Sequence, residues 1–477
     1  FFMRKIYALL TGLLTCPFMY AQPTNLSGAL SFEQAVEMTF NQNEQVKANY
    51  FVEEMREKEK KAAAGLRSPQ FNISAGYAYM SDDIAINLNE YKPAVGTLLG
   101  TLPIPPTITG QLIGADWKFP IQERDFGMVG ASVTMPIFMG GKINVANRAA
   151  KIQIKESRQQ TVQQNNALYS QLAERYFGLS LALQVVKVRE QVLAGMQKHL
   201  SDAIKLEQNG MIPHVERLYA EMKVTEAEVE LKKAQAEVKT IATALNNTLN
   251  NEGEIVPITS LFILSSIEDI EYFKKLAEEN NPLVKQVQLK EGVAKENVKA
   301  ERANFMPEIA AIGGIDIYNH QLTKLAPKWV VGAGLKFNIF NGLNREFKFA
   351  AAKSQVKQVE ALNNKAVSDI STLVEKLYNE MTANADQMKT LEATLAFSEE
   401  YLRIKERAFL EGTTPSSDVV DARLNLAKTK IERLQAAYIY DLSLAQLLEA
   451  CGLSNNFTEY KNNPYYQPVF YSENDIK

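Results

Sequence analysis

Cysteine and histidine are scarce in this chain. Its 477 residues contain two cysteines, Cys16 and Cys451, and three scattered histidines, His199, His214 and His320. If Cys16 leaves with a leader, Cys451 is the one thiol remaining, no intrachain disulfide can form, and packing must hold the fold together. HExxH, CxxC, the P-loop and GxSxG are missing, so neither a catalytic nor a metal site is expected, and no cofactor. Charge of one sign is not in excess either: 52 basic and 55 acidic residues give a net −3. No basic patch recommends nucleic acid, and no acidic tail recommends a basic partner. Past the N-terminus no apolar run reaches 18 residues, which argues against a membrane-spanning helix.

The first residues are expected to be a signal peptide over 1–21. Met3 is followed by Arg4 and Lys5, an apolar stretch from Ile6 to Leu14, and a small-residue cut site at Ala21. Met19 is large for the −3 position. Cys16 after Leu13-Leu14-Thr15 is similar to a lipoprotein box, in which Thr15 is a poor residue.

What the chain does have is itself, twice. At an offset of 202, Gly130 matches Gly332, Phe138 matches Phe340, Gly140 matches Gly342 and Tyr176 matches Tyr378. The same offset carries Gly210 onto Gly412, Pro213 onto Pro415 and Glu216 onto Asp418. Upstream the offset is 238, pairing Asn43 with Asn281, Val46 with Val284 and Pro69 with Pro307. The two offsets differ by 36, so the first copy carries about 36 extra residues between Tyr79 and Gly127. The first repeat is expected over 22–250, with a helix at 31–66, strands at 70–79 and 128–138, a long helix at 142–208 and a helix at 213–249. The second is expected over 270–452, with a helix at 270–305, strands at 308–318 and 329–340, a long helix at 344–411 and a helix at 415–450. Residues 251–269 connect the two, and 453–477 form a C-terminal segment. A helix of about 67 residues spans roughly 100 Å, and two of about 36 laid end to end span roughly 108 Å. The short helices of each copy can therefore stack beside the long one.

Helical stripes alone would fit a long coiled coil, a periplasmic scaffold or an adaptor. The strands point elsewhere. Phe71, Ile73, Ala75, Tyr77 and Tyr79 alternate with Asn72, Ser74, Gly76 and Ala78. Val331, Ala333, Leu335, Phe337 and Ile339 alternate with Gly332, Gly334, Lys336 and Asn338. Each strand is about 9–11 residues, enough to cross a bilayer core when tilted, with one apolar face and one small, polar face. Tyr77, Tyr79, Trp329 and Phe340 suit interfacial aromatic girdles. Four strands cannot close a barrel, and an open edge in lipid leaves backbone groups unpaired at several kcal/mol each. The expected fold is a mixed membrane protein of two structural repeats. Its four strands per chain are lent to a shared barrel. Two chains would give eight strands around a filled interior, and three would give twelve around an open lumen. A duct favours the homotrimer, with long helices continuing it into the periplasm.

The tips of the helical part are stop-and-restart signals. Gly210 and Gly412 can take the left-handed conformation that ends a helix. Met211, Ile212 and Pro213 follow the first, and Thr413, Thr414 and Pro415 the second, with Thr414 as N-cap and Pro415 at the first helical position. Asp418 and Asp421 then lie on one helix face at i, i+3 spacing, with Glu216 as the counterpart of Asp418 in the first copy. Acids at a helix start also complement its dipole without further purpose.

PIFMGG at Pro136–Gly141, its copy NIFNGL at 338–343, LSFEQAVEMTFNQNEQVKA from Leu30, GMIPHVERL from Gly210 and GTTPSSDVVDA from Gly412 together resemble the TolC family of outer-membrane efflux proteins. The resemblance covers essentially the whole mature chain. It implies a homotrimeric outer-membrane channel of a tripartite efflux pump or type I secretion system, set in outer-membrane lipid. Tips formed by residues 210–213 and 412–415 would dock a periplasmic adaptor bound to an inner-membrane transporter. Asp418, Asp421 and Glu216 would line a periplasmic constriction, where clustered carboxylates shift upward in pKa. Pro136, Gly140, Gly141 and Gly342 would form the barrel–helix junctions. Related channels latch with an arginine where this chain has Thr414, and Asn338 stands where the first copy has Pro136. The 36-residue insertion is expected outside the cell, with its proline-rich LGTLPIPPTITG segment not helical.

Overall fold

The computed structural model describes residues 28–321, 323, 327–460 and 463–470, so the expected signal peptide over 1–21, with Cys16, lies outside the described residues. Among the described residues ten strands occur in chain order: β1 Gly28–Leu30, β2 Gln70–Tyr79, β3 Ile84–Asn87, β4 Lys118–Gln122, β5 Asp125–Met139, β6 Ile255–Pro257, β7 Leu261–Leu264, β8 Glu308–His320, β9 Trp329–Lys336 and β10 Tyr466–Val469. Two helices of 67 residues, Lys142–Gln208 and Asn344–Leu410, dominate the chain. Two more, His214–Leu249 and Ser416–Ala450, follow them. The chain divides into two units.

The first unit comprises residues up to Met55, Lys155–Lys290 and those from Glu360 on. Its core is aromatic. The Phe32 ring lies 5.1–5.6 Å from the rings of Phe177, Tyr176, Phe457 and Tyr169, all fully buried. Tyr176 buries a hydroxyl that must find partners. It donates to the Leu30 carbonyl at 2.6 Å and accepts from the Ile258 and Thr259 amides, tying the parallel pair β1–β6 to the long helix. A second, antiparallel pair, β7–β10, packs on the helix Ser416–Ala450, where the wholly buried Asp441 accepts the Phe262 amide at 3.2 Å.

The helices expected at 31–66 and 270–305 are each two helices. The first is Phe32–Gln42 then Glu44–Gly65; the second is Ile270–Asn280 then Pro282–Ala303. The breaks fall at Asn43, whose backbone is extended, and at Asn281, which leaves the helical region at φ −55° and ψ 123°. Each asparagine does the same two jobs. Asn43 accepts the Gln45 amide and donates to the Thr248 carbonyl at 2.8 Å; Asn281 accepts the Leu283 and Val284 amides and donates to Ala450 at 2.8 Å. One side chain thus restarts its own helix and satisfies the end of another, which periodicity does not reveal.

The second unit, Arg56–Ile154 and Glu291–Val359, holds an antiparallel sheet in the order β2-β5-β8-β9. β2 and β9 each pair on one side only. Among the described residues nothing covers the apolar face: Phe71, Ile73, Val331 and Leu335 are 80%, 78%, 74% and 66% exposed. The strand expected to reach 340 stops at Lys336, and that expected at 128–138 runs from Asp125 to Met139, bulged between Pro136 and Phe138. The insertion corrects the sequence reading. LGTLPIPPTITG is partly helical, within the helices Lys92–Leu99 and Pro106–Gly114. Pro93 and Pro106 fall in their first turns, where a missing amide costs nothing. β3 pairs with β4 in an antiparallel ribbon. Gln122 anchors them by donating to the Gln321 carbonyl and accepting the Thr323 amide.

Candidate functional site

Both tips lie in the first unit and are built alike. Gly210 and Gly412 take φ of 71° and 73°. The next residue reaches back five positions, Met211 to Leu206 at 2.8 Å and Thr413 to Ala408 at 3.0 Å, closing each helix with a left-handed stop. The restart differs from expectation. Pro213 and Pro415 are themselves the N-caps, with extended backbones and no side-chain capping bond. Thr414 does not cap; its hydroxyl donates to Asp418 Oδ2 at 2.8 Å.

The missing cap comes from the other tip. Glu216 Oε2 accepts the Ser416 amide at 2.8 Å, so a carboxylate of the first hairpin satisfies the start of the second. Met211 reaches across as well: a Cβ on Gly412 would lie 3.8 Å from its terminal methyl. Ile212 packs against a cluster containing Ala203, Leu206, Phe409 and Val419. Ser416 is fully buried, and its hydroxyl lies 2.6 Å from His199 Nε2. The His199 ring sits 4.5 Å from that of Phe409. Burial, reinforced by the nearby Arg423 cation, pushes the His199 pKa down to about 4, against a small opposing pull from Asp202. Arg423 pairs with Glu406, and a Cβ on Gly195 would overlap its guanidinium, which explains a glycine inside a long helix.

Asp418 and Asp421 differ from one another. Lys405 Nζ lies 2.7 Å from Asp418 Oδ2. That hydrogen bond, then the one from Thr414, holds the Asp418 carboxyl below its usual range. Within one chain the shift therefore runs opposite to the upward one expected of clustered carboxylates. Asp421 is exposed. At the first tip, Glu207 binds His214 Nδ1 at 2.5 Å and Arg217 Nε at 2.8 Å, and is shifted downward by them, His214 foremost. The tip residues thus come together as one cluster with His199, Lys405 and Ser416, which motif reading did not find. The interior Gly195 was the sequence signal for the Arg423 part of it.

The junction residues lie in the second unit. Gly140, Gly141 and Gly342 have φ of 62°, 91° and 69°, with Leu343 at 65°. A Cβ on Gly140 would fall 2.5 Å from the Ala303 carbonyl oxygen, so strand can turn into helix there only without a side chain. Pro136 lies inside β5, opposite Ala310. Among the described residues no group of three or more His, Cys, Asp or Glu is arranged to hold a metal, and no helix is long and apolar enough to cross a membrane.

The family model described as Outer membrane efflux protein matches residues 117–251 and 274–453. Outer membrane efflux protein BepC of Brucella suis biovar 1 (strain 1330) is 22% identical over 419 residues, covering 84% of this chain and 87% of that protein. The fold is shared with the outer membrane protein VceC of Vibrio cholerae at a TM-score of 0.67 and 15% identity, covering 88% of this chain and 96% of that one. It is shared also with the CmeC outer membrane channel of Campylobacter jejuni at a TM-score of 0.68 and 15% identity, covering 89% and 86%.

Proposed function

We propose, from the premise that this chain belongs to the outer membrane efflux protein family, that three copies form a passive exit duct. The chain is an outer-membrane protein extending into the periplasm. The observation that carries the assembly is the four-stranded sheet with two open edges and an uncovered apolar face. Such edges in lipid demand partners, and three chains supply twelve strands around an open lumen. The two-copy organisation of the sequence matches this use, each copy lending two strands and one helical hairpin. The unit is a channel rather than a scaffold or an enzyme.

In this reading the tips, residues 210–213 and 412–415, dock a periplasmic adaptor that joins the duct to an inner-membrane transporter. Met211, more than half exposed, offers that partner an adaptable apolar contact. Asp418, Asp421 and Glu216 surround the periplasmic mouth. Asp421, exposed, supplies the pore-facing charge; Asp418 and Glu216 are engaged by Lys405 and Ser416 in the resting chain. Mass measurement in a mild nonionic detergent tests the assembly. Three chains per particle are expected, together with ion conductance in planar bilayers. A monodisperse monomer that conducts would overturn the reading.

A further inference from the structure

Two adjoining cavities lie in the second unit, where the sheet gives way to the helices. The larger, about 580 Å³, is lined by Leu66, Met139, Ile143, Ala146 and Leu335 and floored by one face of the sheet. It exists because small residues meet in register. Ala310 stands beside Pro136 on one strand and Gly334 on the other, and a Cβ added to Gly334 would touch nothing. The smaller, about 260 Å³, is polar, lined by Asn304, Asn338, Asn341, Asn344, Arg345 and Lys348. Lys142, Glu308 and Lys336 line both.

Cations outnumber carboxylates in the smaller chamber: Lys142, Lys336, Arg345 and Lys348 line it together with Glu308. Lys142 is spent on Glu308 at 2.7 Å. Lys336 acts on the same Glu308 at longer range, and neither Lys336 nor Lys348 makes an ion pair within 4 Å among the described residues. Arg345 binds the carbonyls of Asn338 and Ile339 and pairs with Glu346 at 3.5 Å, yet its Nε is buried with no acceptor, a costly state for a donor. The start of the 67-residue helix Asn344–Leu410 adds the positive end of its dipole at the same place. An apolar slot of ligand-binding size thus opens onto a basic, amide-rich chamber.

We propose that the two cavities form one binding site for an amphiphilic anion. Its alkyl tail lies over Ala310 and Gly334, and its anionic head takes hydrogen bonds from Lys336, Lys348 and Arg345. The site stands on the chain's own geometry. Its position on the transport path rests on the proposed channel, in which this small, polar face of the sheet lines the lumen. A membrane phospholipid and a transported amphiphile share the required chemistry.

The test uses the full protein in phosphatidylcholine nanodiscs, with empty discs as reference. Radiolabelled dodecyl phosphate is expected to bind saturably at one molecule per chain, resisting competition by dodecyltrimethylammonium or inorganic phosphate. Lys336→Glu removes the head contact and Gly334→Leu fills the slot, and each is expected to weaken binding by at least about tenfold. Both variants should keep the parent particle mass. Mass spectrometry of lipid retained through purification separates the sources. Phosphatidylglycerol kept by the parent and lost from Lys336→Glu identifies a membrane lipid. No retained phospholipid with intact dodecyl phosphate binding identifies a soluble amphiphile. Non-saturable uptake, equal competition by the cation, or parental affinity in both variants would overturn the proposal. A monomeric particle that still binds would refute the channel and leave the site standing.

Discussion

In the unit built around Phe32, large aromatic side chains are packed ring against ring, whereas in the other unit Phe71, Ile73 and Val331 stay exposed on an open sheet. The same residue types serve opposite ends. The first unit completes its core from its own chain and ties each strand pair to a helix through a buried polar group such as Tyr176 or Asp441. The sheet leaves its apolar face and its two outer backbone edges uncovered among the described residues, which the proposed assembly would fill with lipid and neighbouring chains. If stability belongs to the first region and assembly to the second, as proposed, substitutions in the two should fail differently.

The largest contrast lies between two phenylalanines. Phe32→Ala should cost about 3–5 kcal/mol, as for other buried aromatics. Phe71→Ala should change the denaturation of the helical signal by less than roughly 0.5 kcal/mol. Urea unfolding followed by far-ultraviolet circular dichroism checks both; equal losses would erase the distinction between the units.

His199 sharpens the picture of the first unit. Its pKa in the folded chain, about 4, lies below the ordinary 6.5, so the unfolded chain binds the extra proton first. Its contribution is complete above pH 6.5 and is lost as pH falls toward 4, on the order of 3 kcal/mol in all. Asp441 works in the other direction, since burial raises its carboxyl well above the usual range and favours the folded state at lower pH. The difference between the parent and His199→Gln therefore isolates the histidine. The variant should lose less stability than the parent between pH 6.5 and 4.5.

Glu216→Ala leaves the buried start of Ser416–Ala450 without its acceptor and should cost about 1 kcal/mol. Hydrogen exchange at Ser416 should quicken correspondingly, with the junction glycines unaffected. The smallest expected effect is electrical. Replacing Asp418 and Asp421 together with alanine should reduce cation preference, read as a shifted reversal potential across a salt gradient. Asp421→Ala alone should account for most of the shift, because Lys405 already offsets Asp418. An unchanged potential would leave these acids as ordinary helix-start residues.

Long elements were readable because a short period repeats along many residues. Apolar residues at helical spacing persist from Lys142 to Gln208, and strict alternation runs along Gln70–Tyr79. Local exceptions were not. Asn43 and Asn281 break helices through bonds to carbonyls about 170 to 205 residues away, and no local pattern encodes that distance. Prolines in the insertion looked like helix breakers yet sit where helices accept them. At the tips, Gly210, Gly412 and the acids were visible as helix punctuation. The bond from Ser416 to Glu216 joins the two hairpins, and it appears only once the two helix starts are side by side.

Cysteine cross-linking between the two open edges tests the assembly most directly. Single cysteines on β2, at Asn72, Ser74 or Gly76, are combined with single cysteines on β9, at Val330, Gly332 or Gly334, in a Cys451→Ser background. Pairs in register should oxidise between chains in intact outer membranes and yield a covalent ladder that ends at three chains. A product that stops at two, a ladder that runs past three, or no cross-link in any pairing would contradict the shared twelve-stranded barrel.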